Sequence, residues 1–485
     1  MKSFPLFSWR EPRIRILHYT WLAFFVTFLM WFAYVPLMPM LKQQFGLSDA
    51  NIKALLLLNV AFTIPARVLI GILVDKYGPR LSYSLLLAVS GLLCFGFASA
   101  HTFTQLAVMR FLLGFSGAGF VIGVRLVSEW FPAREVGAAE GIYAGWGNFG
   151  AAVAAMSMPV LAEAFGGAQG WRYAIALTGV IALVYSAIFY RQVRDTPAGS
   201  TYFRPLKTGG LEVSSRMDFG FYALISLPIY ASLLLLVWRL GKFGLLSFQG
   251  CLCGYAIAVA LGACHYLKIW QVNRHLFTGT APSTQRYKFK QVAIINLTYL
   301  ACFGSELAVV SMLPLFFIQT FGISPVHAGI TAGSFAVMNL LARPGGGWLS
   351  DRIGRRRVLT IMLCGQTVGY LLLSQVEPSW SVGLAIGLTI ATSIFVQGAC
   401  GGVDSVMPLI QRRMTGQIAG LTGAFGNVGG VLFLTVLSFV SPAIFFMVIA
   451  VISALAVAIV RFMDEPRGHM VEVTEDGSVQ LIAME

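Results

Sequence analysis

Fourteen apolar runs, most of them close to twenty residues long, follow one another along this chain, and that succession leaves few folds open. Crossing the hydrocarbon core of a bilayer takes about 20 mostly apolar residues in a helix. In lipid the backbone has to satisfy its own hydrogen bonds, so such runs fold as helices. Six runs lie in the first half, at about 18–40, 52–75, 82–100, 105–130, 136–163 and 172–191. Six more lie in the second, at about 291–317, 325–350, 358–376, 381–408, 415–438 and 440–462. Two further runs, at about 219–238 and 245–268, stand between the halves, flanked by polar stretches. Only 11% of the 485 residues are charged, under half the usual share of a soluble domain. The expected fold is an all-α membrane protein of about 14 spans. The first run follows Arg10, Arg13 and Arg15 and precedes many of its kind, so it reads as a span rather than a cleaved leader.

Parity sets the orientation. Six spans return the chain to its starting side and the inserted pair returns it again, so the two halves enter the membrane from the same side. Lys76 and Arg80, Arg134, Arg191 and Arg194, Arg286 and Lys288, Arg355–Arg357, and Arg412 with Arg413 fall in alternate loops. The positive-inside rule places those loops, and both termini, in the cytoplasm of a plasma (inner) membrane protein. Arg239 and Lys242, between the inserted runs, are exceptions. The net charge of +14 has the same origin, and no nucleic-acid partner is expected. The expected organisation is a six-helix bundle over 1–195, a central linker with two extra spans over 196–290, a second six-helix bundle over 291–466, and a short, mobile cytoplasmic tail over 467–485. Most of the 7 cysteines (Cys94, Cys302, Cys364, Cys400) lie in apolar runs and read as small buried hydrophobes. Cys251 and Cys253 form a lone C-x-C, and no metal or other cofactor is expected.

Within this pattern one local motif occurs twice. Arg67 to Arg80 reads RVLIGILVDKYGPR, and Arg343 to Arg356 reads RPGGGWLSDRIGRR. Arg67, Gly71, Asp75, Gly78 and Arg80 match Arg343, Gly347, Asp351, Gly354 and Arg356 at one offset (343 − 67 = 276). An arginine at the centre of a bilayer costs about 2.5–3.5 kcal/mol on insertion scales. A chain that accepts this cost twice, in matching places, has something negative to hold. The glycines allow close helix approach. Asp75 and Asp351 suit a nearby arginine or a facing helix N-terminus, and so a lock on the cytoplasmic side. Arg125 and Glu129, at i and i+4, belong to the same cluster. A second pair of motifs, AGWGNFGA (Ala144–Ala151) and GAFGNVGG (Gly423–Gly430), centres on Asn148 and Asn427.

The pattern G-x-x-x-D-x-x-G-x-R after the second span of each half resembles the loop signatures of the major facilitator superfamily. Arginines in spans two and eight, with the paired Gly-Asn motifs, resemble the nitrate/nitrite porter family within it. FGSELAVV (Phe303–Val310) and FAVMNLLARP (Phe335–Pro344) strengthen that resemblance, which covers about residues 18–465. The inserted pair departs from the family's twelve-span pattern. The resemblance implies two parallel six-helix halves and alternating access around a midplane site at the repeat interface. It also implies nitrate or nitrite as substrate, and aromatic rings that sandwich the anion.

Helical rise places Arg67 and Arg343 about 12 Å from the inner end of their spans, and Asn148 and Asn427 about 18 Å. All four therefore sit near the midplane. A guanidinium is a planar fork of donors matched to flat oxyanions, and asparagine amides add further donors. Tyr299 and Phe303 share one helix face at similar depth, and Phe120 and Phe28 (or Phe32) are further candidates to line the site. The competing reading for each arginine is a buried salt bridge; no acid lies in the same apolar stretch, and Glu306 is the nearest intramembrane candidate. The competing reading for the asparagines is an interhelical hydrogen bond.

A monoanion entering a negative-inside cell climbs about 2.3 kcal/mol per 100 mV. Uptake therefore requires co-transported protons or a counter-transported anion. Glu306 is the candidate proton site, and Asp404, near the cytoplasmic end of span ten, is assigned to the gate. The expectation is a monomeric secondary transporter of nitrate, and of nitrite, clamped by Arg67 and Arg343. The alternatives are a carrier for another small anion, such as an organic carboxylate, and a non-transporting anion sensor. No H-E-x-x-H, G-x-S-x-G or paired histidine cluster points to an enzyme.

Overall fold

The computed structural model describes residues 6–205, 207–277, 287–466, 469–473 and 479–483. Arg286 and Arg467, at which basic-loop and tail expectations were set, lie outside them. The first half forms α1 (Pro12–Phe32), α2 (Met38–Phe45), α3 (Asp49–Ala61), α4 (Thr63–Tyr77), α5 (Pro79–Ala98), α6 (Phe103–Leu113), α7 (Gly119–Trp130), α8 (Ala133–Phe165) and α9 (Gly170–Gln192). The insert forms α10 (Arg216–Lys242) and α11 (Phe248–Asn273). The second half forms α12 (Lys290–Phe321), α13 (Pro325–Val337), α14 (Asn339–Ile353), α15 (Arg355–Leu373), α16 (Val382–Asp404), α17 (Thr415–Leu437) and α18 (Pro442–Val460).

Among the described residues, twelve helical stretches are long and apolar enough to cross a membrane, and α10 and the stretch containing α11 are two of them. The runs expected at about 325–350 and 358–376 are helical but are not among the twelve. The first is broken at Met338 into α13 and α14, and α14 carries Arg343, Asp351 and Arg352. The second, α15, opens on three arginines.

Several expected spans are interrupted rather than continuous. The second divides at Phe62 into α3 and α4, and the fourth contains a 3-10 turn over Gly114–Ala118 between α6 and α7. The first ends at Phe32, and α2 begins afresh with Pro39 in its first turn. The break at Phe62 is re-satisfied locally. The Asn59 carbonyl accepts from Trp31 Nε1 at 3.0 Å and from Thr63 Oγ1 at 3.2 Å, and Thr63 Oγ1 also lies 2.6 Å from the Gly114 carbonyl. An irregular backbone is tolerated at membrane depth only when its polar groups find such partners.

The chain packs as two units. One holds residues 1–130, 147–281 and 413–424; the other holds 131–146, 282–412 and 425–485. The boundaries run through α8 and α17, whose first turns pack with helices of the opposite sequence half. Glycines make this packing close. In the first unit, a Cβ on Gly420 would stand 2.5 Å from the Arg67 carbonyl oxygen; in the second, one on Gly141 would stand 2.6 Å from that of Arg343. Within the second unit, Phe316, Phe317, Tyr370, Phe445 and Phe446 form an aromatic core, and α12 crosses α17 backbone to backbone. There a Cβ on Gly304 would lie 2.7 Å from Gly429 Cα. Gly304→Ala is expected to cost about 1–3 kcal/mol by overpacking, read as a lower unfolding midpoint of the detergent-solubilised protein.

The tail differs from the mobile segment expected. β1 (His469–Val473) pairs antiparallel with β2 (Val479–Ala483), with His469 opposite Ala483. Both strands are rich in β-branched and aliphatic residues suited to a ladder.

Candidate functional site

In the first unit, Arg67 is 1% exposed. The 3-10 turn between α6 and α7 gives it an acceptor: Nε donates to the Gly117 carbonyl at 3.1 Å, and Nη1 donates to the Gly423 carbonyl of α17 at 2.7 Å. Its guanidinium carbon lies 5.5 Å from the centre of the Phe120 ring, within cation–π range. Phe28 reaches this group through an intermediate ring, since Phe24 lies 4.5 Å from Phe28 and 5.9 Å from Phe120. Asn148 is buried, and neither its amide nitrogen nor its oxygen has a hydrogen-bond partner among the described residues. Its neighbour Gly147 abuts the Phe24 ring.

In the second unit, Arg343 is fully buried. Nη2 donates to the Tyr299 hydroxyl at 2.6 Å. The guanidinium carbon stands 6.0 Å from the Tyr299 ring and 5.8 Å from the Phe303 ring, and those rings stack at 5.1 Å and 10°. Gly426, next to Asn427, abuts both rings, and Asn427 is fully buried. Glu306 Oε2 lies 4.0 Å from Arg343 Nη1, while Glu306 Oε1 accepts from Asn339 Nδ2 at 2.8 Å.

One expectation is overturned here. Arg343 Nε is bonded to Asp404 Oδ2 at 2.9 Å, and both side chains are fully buried. Asp404, and not Glu306 alone, is thus the ion-pair partner of Arg343, and the salt bridge held open as a competing reading is present at this arginine. The cause is tertiary. Gly401 of α16 packs on the Arg343 carbonyl, and Asp404, three residues on, lies on the same helix face. The two arginines, equivalent in sequence, have different surroundings. Arg343 Nη1 has no hydrogen-bond partner among the described residues.

The repeated aspartates occupy matching places. Asp75 accepts from the Gly416 and Gln417 amides at the start of α17, both at 2.9 Å, and pairs with Arg125 at 3.2 Å. Arg125 pairs in turn with Glu129 at 2.6 Å. Asp351 accepts from the Gly137 and Ala138 amides near the start of α8 at 3.0 and 2.8 Å, and pairs with Arg355 at 3.2 Å. Asp75 thus sits at the first turn of α17, where the helix dipole favours an anion, whereas Asp351 meets amides about one turn further into α8. Gly78 and Gly354 end α4 and α14 at φ +88° and +98°, a backbone region open to glycine. Gly71 and Gly347 pack against Gly416 and Gly137.

Arg80 donates from Nε to the Tyr190 carbonyl at 2.7 Å and stacks on the Tyr190 ring at 4.2 Å. Its amide donates to Asp195 at 2.7 Å. Burial pushes the Asp195 carboxyl above the usual carboxylate range, while the Arg80 amide and guanidinium pull it down. The amide of Arg356 donates to Glu465 at 2.9 Å, and the nearby arginine that pairs with Asp351 is Arg355. The motif position names the backbone amide, and the helix turn decides which side chain points inward.

Four features escaped the sequence. The linker before α10 enters the Asp75 cluster, where Arg125 donates to the Phe203 carbonyl at 2.8 Å and to the Tyr202 hydroxyl at 3.1 Å, and Tyr202 donates to the Val74 carbonyl at 2.7 Å. Asn339 steadies Glu306. Gln397, at i−7 from Asp404, is fully buried, and neither of its amide atoms is bonded to a described residue. Glu140 of α8 is buried and is treated below. The i, i+7 spacing of Gln397 and Asp404 and the acid inside GAAEGIYAGWGN were the available signals.

A family model described as Major Facilitator Superfamily matches residues 20–280 and 295–482. The nitrate/nitrite transporter NrtP of Picosynechococcus sp. is 44% identical, with 97% of this chain and 96% of the relative covered. NrtP of Nostoc punctiforme is 42% identical, with 97% and 96% covered. The probable nitrate/nitrite antiporter NarK1 of Thermus thermophilus is 26% identical, with 87% and 84% covered. Among solved structures, the human organic anion transporter MFSD10 (TETRAN) matches with TM-score 0.64 at 12% identity, over 93% of this chain and 100% of that one. The transporter FucP in its outward conformation matches with TM-score 0.63 at 14% identity, over 93% and 99%. At these identities the structural likeness shows the fold alone.

Proposed function

Because this chain belongs to the major facilitator superfamily and, within it, to the nitrate/nitrite porter family, we propose that it carries nitrate and nitrite by alternating access, one arginine from each sequence half holding the anion. It is a multi-pass membrane transporter and not an enzyme. The observation that carries the reading is the pair of buried guanidiniums at matching motif positions. Each is flanked in its own unit by an aromatic ring. A planar fork facing a ring suits a flat, weakly hydrated oxyanion. Tyr299 adds a hydroxyl, Phe303, Phe120 and Phe28 exclude water, and Asn148 and Asn427 orient the oxygens. Glu306, 4.0 Å from Arg343, serves as an acid beside the anion.

In this reading 1–195 and 291–466 are the moving bundles, with the 196–290 insert borne on the first and 467–485 a cytoplasmic tail. Both termini face the cytoplasm of the plasma (inner) membrane, and the monomer is the working unit. The Asp75 and Asp351 clusters fasten the cytoplasmic side during the cycle. The test is labelled nitrate uptake into proteoliposomes, with and without a pH gradient and with and without internal nitrite. Competition by nitrite and chlorate, and none by small carboxylates, is expected. A carboxylate that competes as strongly as nitrite would count for an organic-anion carrier instead.

Asn148→Ala is expected to weaken apparent nitrate affinity about fivefold to tenfold, the worth of a neutral hydrogen bond of about 1 kcal/mol. The unfolding midpoint should stay near wild type, because the Asn148 amide bonds to nothing among the described residues. A large drop in that midpoint with unchanged affinity would assign it to packing.

A further inference from the structure

We propose that Glu140 is a proton-binding residue of this carrier, and that a proton passed from Glu140 to Asp404 is what releases Arg343 to hold the anion. The inference rests on the reading of Arg343 as an anion-holding group.

Glu140 lies in α8, fully buried, with neither carboxylate oxygen bonded to any described residue. Its surroundings follow from packing inside the second unit. The backbone of α14 at Arg343 is gripped from two sides: Gly141 of α8 and Gly401 of α16 both close on the Arg343 carbonyl. Glu140, one residue before Gly141, and Asp404, about one turn after Gly401, are thereby carried toward the same stretch of α14. Asp404 is bonded to Arg343. From α12, Glu306 approaches the other side of the guanidinium. Towards the first turn of α8, Asp351 and Arg355 are occupied with each other and with the α8 amides.

Glu140, Asp404 and Glu306 are three buried carboxyls packed with one buried guanidinium. Asp404 and Glu306 each meet Arg343, whereas neither carboxylate oxygen of Glu140 has a partner among the described residues. A buried carboxylate without a partner is costly, and a bound proton removes both that cost and one of the negative charges an entering anion would meet.

Packing alone does not require the carboxyl. The Gly-Asn motifs repeat at an offset of 279 (427 − 148), which pairs Glu140 with Ala419 of α17. Ala419 is equally buried, so the corresponding helix contact is made with a methyl group.

The cycle balances in charge. A proton from the entry side binds Glu140 and passes to Asp404, leaving Glu140 ionised. The neutralised Asp404 loosens its hold on Arg343 Nε, and the freed fork accepts a monoanion. Anion and proton leave together on the other side, and Asp404 recloses on Arg343. One proton with one monoanion carries no net charge against the membrane potential.

The test is nitrate titration calorimetry of the full-length protein in detergent, repeated at several pH values and in buffers of different ionisation heat. Linkage requires that proton uptake appear as a pH slope in affinity. Wild type is expected to take up about one proton per nitrate and to lose about tenfold in affinity per pH unit above the titration. Glu140→Gln is expected to bind more weakly, with a slope and a proton uptake near zero. Glu140→Ala, which copies the repeat's own residue, is read in the same way should the glutamine variant not fold. A wild-type slope and proton count in either variant overturns the proposal. Arg343→Lys separates the two readings: if it binds nitrate as wild type does, the anion role of Arg343 fails, and this inference fails with it. If Arg343→Lys loses binding while Glu140→Gln keeps wild-type linkage, only the proton assignment fails.

Discussion

Replacing Arg67 by lysine is expected to abolish nitrate uptake while the protein still inserts and purifies as a single species. The reason is geometric. Arg67 spends Nε on the Gly117 carbonyl and Nη1 on the Gly423 carbonyl, and so stays oriented over Phe120. One lysine nitrogen keeps the charge but cannot span two acceptors and still face an anion. Each charge-assisted hydrogen bond forfeited is worth about 1.5–3 kcal/mol, or about 10- to 150-fold in binding. The measurement is initial-rate uptake of labelled nitrate into proteoliposomes at matched protein content. Uptake near the wild-type rate would remove Arg67 from the anion site and leave it a helix tie.

The second large effect is expected at Asp75. Its carboxylate is fully buried, bonded to two amides at the start of α17 and paired with Arg125. Asp75→Asn removes the charge but keeps the shape, so Arg125 is left to Glu129, Tyr202 and the Phe203 carbonyl. Breaking one side of a buried ion pair costs about 3–5 kcal/mol. The remaining partners of Arg125 should hold the loss near the lower figure. The matching substitution, Asp351→Asn, should cost less. The Asp351 and Arg355 side chains retain 4% and 6% exposure, where those of Asp75 and Arg125 retain none, and screening weakens such pairs. Unfolding midpoints of the two variants in one detergent decide the matter. A greater loss at Asp351 would show that burial does not set the ranking.

These expectations also mark how the two arginines part company. In sequence they are interchangeable, each eight residues before a motif aspartate. In the folded chain Arg67 is bonded to backbone carbonyls, and Arg343 is bonded to a carboxylate and a phenol. The repeat could not show this, because Asp404 lies 61 residues from Arg343 and reaches it only through the contact of α16 with α14. Distance along the span puts Asp404 near the cytoplasmic end of α16, and its helix face, set by where Gly401 packs, turns it onto Arg343. Glu140 was passed over for a similar reason, since the glycine-rich stretch around it reads as a packing surface.

The amino-acid sequence by itself determined the helical class, the doubled motif with its two aspartates, and the paired arginines within apolar runs. Those features follow from local chemistry: long apolar runs must form helices in lipid, and a constant offset is visible without coordinates. Only the tertiary structure decided which helices break, which carboxylates surround Arg343 and that the linker at Tyr202 joins the Asp75 cluster. Each depends on helices distant in sequence meeting at particular glycines, and an ionised side chain buried without water takes whatever partner that meeting brings.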